Sequence, residues 1–415
     1  MSDDRCGHGS QYGAGGMQQR VHFAFLNAGH FLDHLFMLVF ATVAALTLTA
    51  EWGMSYGELI PYATPGFVAF GVCALPAGWL ADKWSREGMM TVFFIGTGAA
   101  AMLTAVADTP LEVGAGLLAI GVFAAIYHPV GIPLVIEGRT RTGMPVAVNG
   151  VFGNLGVASA ALLTGLMIDT AGWRAAFAWP GAISVAIGLA YWAFIARTRT
   201  ERAGSRARAA EAEAAAGRTG GSARLDRGLV LRILAVIMVT TGLGGIVFQS
   251  TTFALPKILD ERLGGFSVSA TEVGWYAFVV FALAALAQLV VGWLIDNRAL
   301  RPVFLAVAAL QALFFALMPG LDGTAALVVA VAFMLAVFGQ IPINDVLLGR
   351  IIRTEWRSRA YAVRYIVTFT GIAVAIPMIA AVHATWGFDA LFRLLSVAAV
   401  AILAAVALLP RALPQ

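Results

Sequence analysis

Asn27, His30, Asp33, His34 and Met37 stand in an otherwise apolar run, at offsets of 3, 6, 7 and 10 from the first. At 3.6 residues per helical turn those offsets fall on one face. A carboxylate beside imidazoles can exchange protons near neutral pH. Asp33 is therefore expected to accept the proton, His34 to be its coupled neighbour, and His30 and Asn27 to touch a bound solute. His128, in a later apolar run, is expected to join them. His30 and His34, one turn apart with Asp33 between, also have the spacing of two imidazole ligands on one helix face. No Met-x-x-x-Met run, cysteine ligand or His-rich loop accompanies them, so no resident metal and no cofactor is expected.

A second polar set lies further along. Gln249 belongs to a stripe with Thr240, Thr241, Ser250 and Thr251, and Gln340, Asn344 and Asp345 interrupt another apolar run. Gln249, Gln340 and Asn344 are expected substrate contacts. Arg364, in the following run, is the expected partner of Asp345, because a carboxylate and a guanidinium inside a membrane neutralise each other.

The elements that must hold these residues follow from composition. Hydrophobic residues make up 60% of the 415-residue chain and charged residues 12%, against roughly 45–50% and 25% in soluble domains. No soluble core could cover that much apolar surface, so lipid is the expected solvent. A net charge of +4, with the basic residues scattered through connectors, is no nucleic-acid signature. Residues 1–20 lack the short apolar region of a cleavable signal. Cys6 and Cys73 have neither disulfide nor zinc-site spacing.

At roughly 20 apolar residues per crossing, twelve spans are predicted: 21–46, 57–81, 89–107, 112–137, 146–168, 174–196, 229–255, 271–295, 302–319, 324–349, 360–383 and 388–409. Residues 1–20 and 411–415 are tails, 21–196 and 229–410 are six-helix bundles, and 197–228 is a mobile linker with a short surface helix at 206–216. His30 and His128 each lie about 14 Å from one end of their helices at about 1.5 Å per residue, near the middle of a core about 30 Å thick. With the N-terminus inside, every lysine and arginine except Arg174, Lys257, Arg262 and Arg393 falls on the inner side, as the positive-inside rule requires.

The two bundles read as copies. Gly78-Trp79-Leu80-Ala81-Asp82-Lys83 returns as Gly292-Trp293-Leu294-Ile295-Asp296-Asn297, displaced by 214 residues. Ala147-Val148 matches Ala362-Val363, Gly156 matches Gly371, and Gly172-Trp173 matches Gly387-Phe388, all displaced by 215. Agreement on one displacement points to parallel duplication.

Over its full length the chain resembles a major facilitator superfamily transporter. Gly78, Leu80, Ala81, Asp82, Lys83 and Arg86 fit that family's loop 2–3 signature, with Ser85 where glycine is usual. Within the family it is similar to the fosmidomycin-resistance-like efflux proteins: His30-Phe31-Leu32-Asp33-His34, Tyr127-His128-Pro129 and Gly153-Asn154-Leu155-Gly156 resemble motifs of their first, fourth and fifth helices. The Gly-Pro that follows in the fifth helix of many antiporters is replaced around Ala160-Ala161. The resemblance implies an all-α fold of two pseudo-symmetric six-helix bundles, a central cavity lined by helices 1, 4, 7 and 10, and Asn154 near the solute. It also implies a cytoplasmic gate of Gly78, Asp82, Arg86 and Asp296, tying the bundles together when the cavity opens outward.

The expected function is alternating-access transport of a small organic solute coupled to protons, by a monomer in a bacterial inner membrane with both termini cytoplasmic. No phosphate-binding loop and no nucleophile–base–oxyanion set suggests an ATPase or another enzyme. A divalent metal-ion carrier and a non-transporting intramembrane assembly factor of the same fold are the alternatives.

Overall fold

The computed structural model describes residues 9–137, 139, 143–216, 227–264, 269–351 and 354–410. Eleven helices in it are long and apolar enough to cross a membrane. We label them α1 (Gly16–Trp52), α2 (Tyr56–Lys83), α3 (Arg86–Thr104), α4 (Pro110–Ile136), α5 (Met144–Ala171), α6 (Trp173–Thr198), α7 (Gly228–Arg262), α8 (Ala270–Asn297), α9 (Leu300–Leu317) and α10 (Gly323–Leu348). The eleventh, Ile366–Ala407, is broken at Gly387, giving α11 (366–386) and α12 (388–407). Gly387 has φ 70° and ψ −174°, a combination essentially closed to residues with a Cβ. Gly172, between α5 and α6, has φ 81°. The duplication therefore places the same left-handed glycine at the same bend of each bundle.

Capping chemistry repeats at the same displacement. Ser55 and Glu58 form a reciprocal capping box before α2, as do Ser269 and Glu272 before α8. Each box satisfies backbone donors that the first turn leaves without partners. Beyond Thr198 the backbone stays helical to Ala216, so the helix expected at 206–216 is present as a continuous extension of α6. Its Ala, Arg and Glu content explains this, since those are strong helix formers.

In the first bundle α1 packs on α5, α3 on α6, and α2 on α4; the second bundle repeats this as α7 on α11, α9 on α12, and α8 on α10. Small residues set the closeness. A Cβ on Gly98 would lie 2.5 Å from the carbonyl oxygen of Gly181, and one on Gly371 2.7 Å from that of Gly242. Without a hydrophobic force between helices in lipid, such contact is what holds them together. The outer surface stays apolar: Leu103, Trp192 and Trp293 are all more than 60% exposed. The chain is a multi-pass membrane protein.

Two seams join the bundles, α5 against α8 and α2 against α11, with a lesser contact of α1 on α7. A Cβ on Gly71, midway along α2, would lie 2.7 Å from that of Phe369, and both seams are also closed at the face opposite the chain termini. There a Cβ on Gly165 would lie 2.2 Å from the Ala270 carbonyl oxygen, and one on Gly57 2.8 Å from the Ala384 Cβ. Nearer the termini, Gly150 and Gly292 have open space within 4 Å.

Candidate functional site

α4 carries the first clue to the site. Its backbone loosens at Ala125–Ile126 and resumes as a helix at Tyr127, with Pro133 inside the next turns. Tyr127 and His128 thus begin a new helical segment within the span, turned towards α1 and α5. Tyr127 is wholly buried; its hydroxyl donates to the Leu26 carbonyl at 2.9 Å and accepts from Asn149 Nδ2 at 2.9 Å. Asn149 Nδ2 also donates to Asn27 Oδ1, again at 2.9 Å. Three helices are pinned by this buried amide and phenol, each of whose donors has an acceptor.

The pinning fixes His30. Its Nδ1 lies 2.8 Å from the Asn149 carbonyl oxygen, which can only accept, so Nδ1 carries the hydrogen. In neutral His30, Nε2 is then a bare lone pair, and His34 Nε2 approaches it at 3.2 Å. The Tyr127 ring stacks on the other side of His30, with centroids 4.8 Å apart. Gly153 makes room for the ring, since a Cβ there would lie 2.6 Å from His30 Nε2.

Asp33 lies at the centre. It is 0% exposed, and neither carboxylate oxygen has a hydrogen-bond partner among the described residues. Its near neighbour is His128, whose Nε2 is 3.4 Å from Oδ2 and whose side chain is 29% exposed. The imidazole therefore stands between a buried carboxylate and accessible space. Phe70 of α2 packs edge-on to His128 at 6.0 Å and to Phe369 of α11 at 5.3 Å. The site thus borders a seam between the bundles. His30, His34 and His128 each offer a nitrogen, all within 4.8 Å of one another, and form the group of three among the described residues that could hold a metal ion.

The sequence-expected residues distribute as follows. His30, Asp33, His34 and His128 come together, but Asp33 meets His128, whereas His34 meets His30. Asn27 is held in the Asn149 network. Asn154 points to the other bundle and pairs with Gln288 of α8, both amide contacts being 3.4 Å. In the second bundle, Gln340 accepts from Gln311 at 2.7 Å and donates to the Thr240 carbonyl, while Asn344 accepts from the Thr240 hydroxyl at 3.0 Å. Gln249 is buried, with Nε2 lacking a partner among the described residues. Arg364 is buried, and the Asp345 side chain lies outside the described residues, as does the expected pair. Gly78 faces Pro129, at 3.3 Å from a built Cβ. Asp82 bonds to Arg86 of its own loop at 2.8 Å, and Asp296 is exposed.

Sequence reasoning missed Asn149, Tyr127 and Gln311 as structural members of these networks. Asn149 and Gln311 are polar residues inside apolar runs, and burial cost alone was the signal. Tyr127 carried none beyond its place beside His128.

The fold is shared with known proteins. The bacterial homolog of the human lysosomal transporter Spinster, in its inward-facing unoccupied form, superposes with a TM-score of 0.68 at 14% identity, covering 94% of this chain and 95% of that one. The inward-open xylose transporter XylE from E. coli gives 0.70 at 13% identity, covering 96% and 97%. A gallate transporter from Pseudomonas putida is 24% identical over 280 residues; the match covers 61% of this chain and 61% of that relative's length. The sequence model of the Major Facilitator Superfamily matches residues 26–265 and 237–415. Duplicated six-helix bundles, two matching seams and that coverage place the chain in one family: it belongs to the major facilitator superfamily of transporters.

Proposed function

We propose that this transporter moves a small organic acid, an aromatic one, in step with protons exchanged at Asp33 and His128. The observation that carries the reading is the buried Asp33 carboxylate, neither oxygen of which is hydrogen-bonded among the described residues, reached from accessible space through the His128 imidazole 3.4 Å away. A buried ionisable group is expensive in a membrane protein and marks a transport pathway by default. A proton on the pair removes the cost of the bare carboxylate. A protonated His128 would then hold the solute's carboxylate, and Phe70 and Phe369 offer aromatic faces beside it. The likeness to a gallate transporter, a protein named for an aromatic acid, favours the same cargo class. Rocking of the bundles about their seams would expose the site alternately to each side. The positive-inside bias of the connectors supports a bacterial inner membrane with both termini cytoplasmic.

The test is uptake of labelled gallate and simpler hydroxybenzoates into proteoliposomes under an imposed pH gradient. Wild type is expected to accumulate the acid, and Asp33→Asn to lose gradient-driven accumulation. Normal accumulation by Asp33→Asn would remove the assignment.

One observation favours a second reading, a divalent metal ion as cargo. His30 donates from Nδ1 to a backbone carbonyl and turns its lone-pair Nε2 towards two other imidazoles, with His34 Nε2 at 3.2 Å; outer hydrogen bonds of that kind orient metal-bound histidines. Calorimetric titration with Zn²⁺, Co²⁺ and Mn²⁺ decides. Binding that is lost in His34→Ala, with no uptake of organic acids, would favour the metal.

A further inference from the structure

We infer that Asp169 is a latch that holds the transporter shut on the face opposite its termini, by completing the N-terminal cap of a helix in the other bundle. The first turn of α8 has backbone donors at Ser269, Ala270, Thr271 and Glu272. Ser269 N donates to Glu272 Oε2 and Glu272 N to Ser269 Oγ, both at 3.2 Å, closing the local capping box. That leaves Ala270 N and Thr271 N. Both donate to Asp169 at the end of α5, at 3.3 and 2.8 Å, and the Thr271 hydroxyl adds a bond of 2.5 Å. A carboxylate at a helix N-terminus also gains from the helix dipole. The second bundle therefore borrows half of α8's cap from the first, and only while the two are in contact here.

Duplication supplies an internal control. At the other seam, the positions displaced from Thr271 and Asp169 by 214 and 215 residues are Gly57 and Ala384. They meet as bare small residues, a Cβ on Gly57 lying 2.8 Å from that of Ala384. One seam closes here through small residues and the edge-on rings of Tyr56 and His383, centroids 5.4 Å apart, and its counterpart adds three hydrogen bonds to a charge. Opening this face must break those three bonds and expose two α8 donors. At the α2–α11 seam only the packing of small residues and of one ring pair is lost at the matching place. The latch rests on the alternating motion of the family and not on which cargo or ion is carried.

Spin labels test it in the full-length protein in nanodiscs. Cys6 and Cys73 are replaced by Ser, and labels are placed through Leu111→Cys and Thr324→Cys, both exposed, in the first turns of α4 and α10 on this face and in different bundles. Asp169→Ala is expected to raise the ratio of long to short distances roughly fivefold, the worth of one helix N-cap. Thr271→Val, which keeps shape and loses the hydroxyl, should move it less, in the same direction. Asp108→Ala, which breaks a 2.7 Å pair with Arg174 inside the first bundle, should leave it unchanged. Wild-type distance distributions in both Asp169→Ala and Thr271→Val overturn the latch, as does an equal shift in Asp108→Ala. If Asp169→Ala fails to fold, Thr271→Val alone decides. No cargo or proton gradient enters the measurement, so its outcome is separate from that of the Asp33 experiment.

Discussion

Two glycines one helical turn apart on α5 should respond to the same substitution with opposite signs. Gly150 has no atom within 4 Å of a built Cβ, so Gly150→Ala adds a methyl group to open space. Alanine is a better helix former than glycine by about 1 kcal/mol, and the variant should be stabilised by up to that amount. At Gly153 the same Cβ would stand 2.6, 2.7 and 2.9 Å from Nε2, Cε1 and Cδ2 of His30. Ordinary contact needs the ring to retreat by close to 1 Å. It has little room to do so, being bonded to the Asn149 carbonyl at 2.8 Å and stacked on Tyr127 at 4.8 Å. Overpacking of this kind costs about 1–3 kcal/mol, and breaking the His30 bond about 1 kcal/mol more. Set against the propensity gain, Gly153→Ala should be destabilised by about 1–3 kcal/mol. Thermal unfolding of both variants in the same detergent, followed by uptake in proteoliposomes, reads the contrast. Gly153→Ala should unfold several degrees below Gly150→Ala and transport poorly. Equal midpoints and equal transport would refute the claim that His30 is held in place from three sides.

Tyr127→Phe removes the hydroxyl that joins Leu26 and Asn149, leaving one buried Asn149 amide hydrogen without an acceptor and the Leu26 carbonyl with its helical bond alone. The expected loss is about 1–3 kcal/mol, visible as a lower unfolding midpoint. Gly387→Ala forces a Cβ into a backbone region essentially reserved for glycine, at about 1–3 kcal/mol, and Gly172→Ala should behave alike, because duplication gives both the same bend. A midpoint unchanged in either glycine variant would contradict the geometry described for that bend.

Much of this was legible from the chain because membrane proteins advertise their exceptions. His30, Asp33, His34 and His128 were visible as polar residues in apolar runs, and the structure gathers them. What the sequence could not assign was partnership. Asp33 and His34 are adjacent, and consecutive residues on a helix point about 100° apart, so they do not face each other. The carboxylate therefore found its imidazole on α4, and His34 found His30 one turn below. The same rotation separates Asn154 from Gly153: one looks into the seam towards Gln288, the other makes room for His30. Asn149 stands alone between Val148 and Gly150, and its partners on two other helices leave no trace in local spacing. The helix expected at 206–216 is there, but its continuity with α6 was obscured by the charge of the stretch between, which suits a solvated helix as well as it suits a coil.

The ring of Phe369 touches Phe70, and Phe70 walls one side of His128, although Phe369 belongs to the opposite half of the molecule. Each swing of the halves would therefore draw Phe369 off that wall or press it back. The permittivity around a single imidazole would rise and fall in step with the swing, and the mechanical stroke would be felt at the site as a change in its electrical surroundings, before any solute arrives.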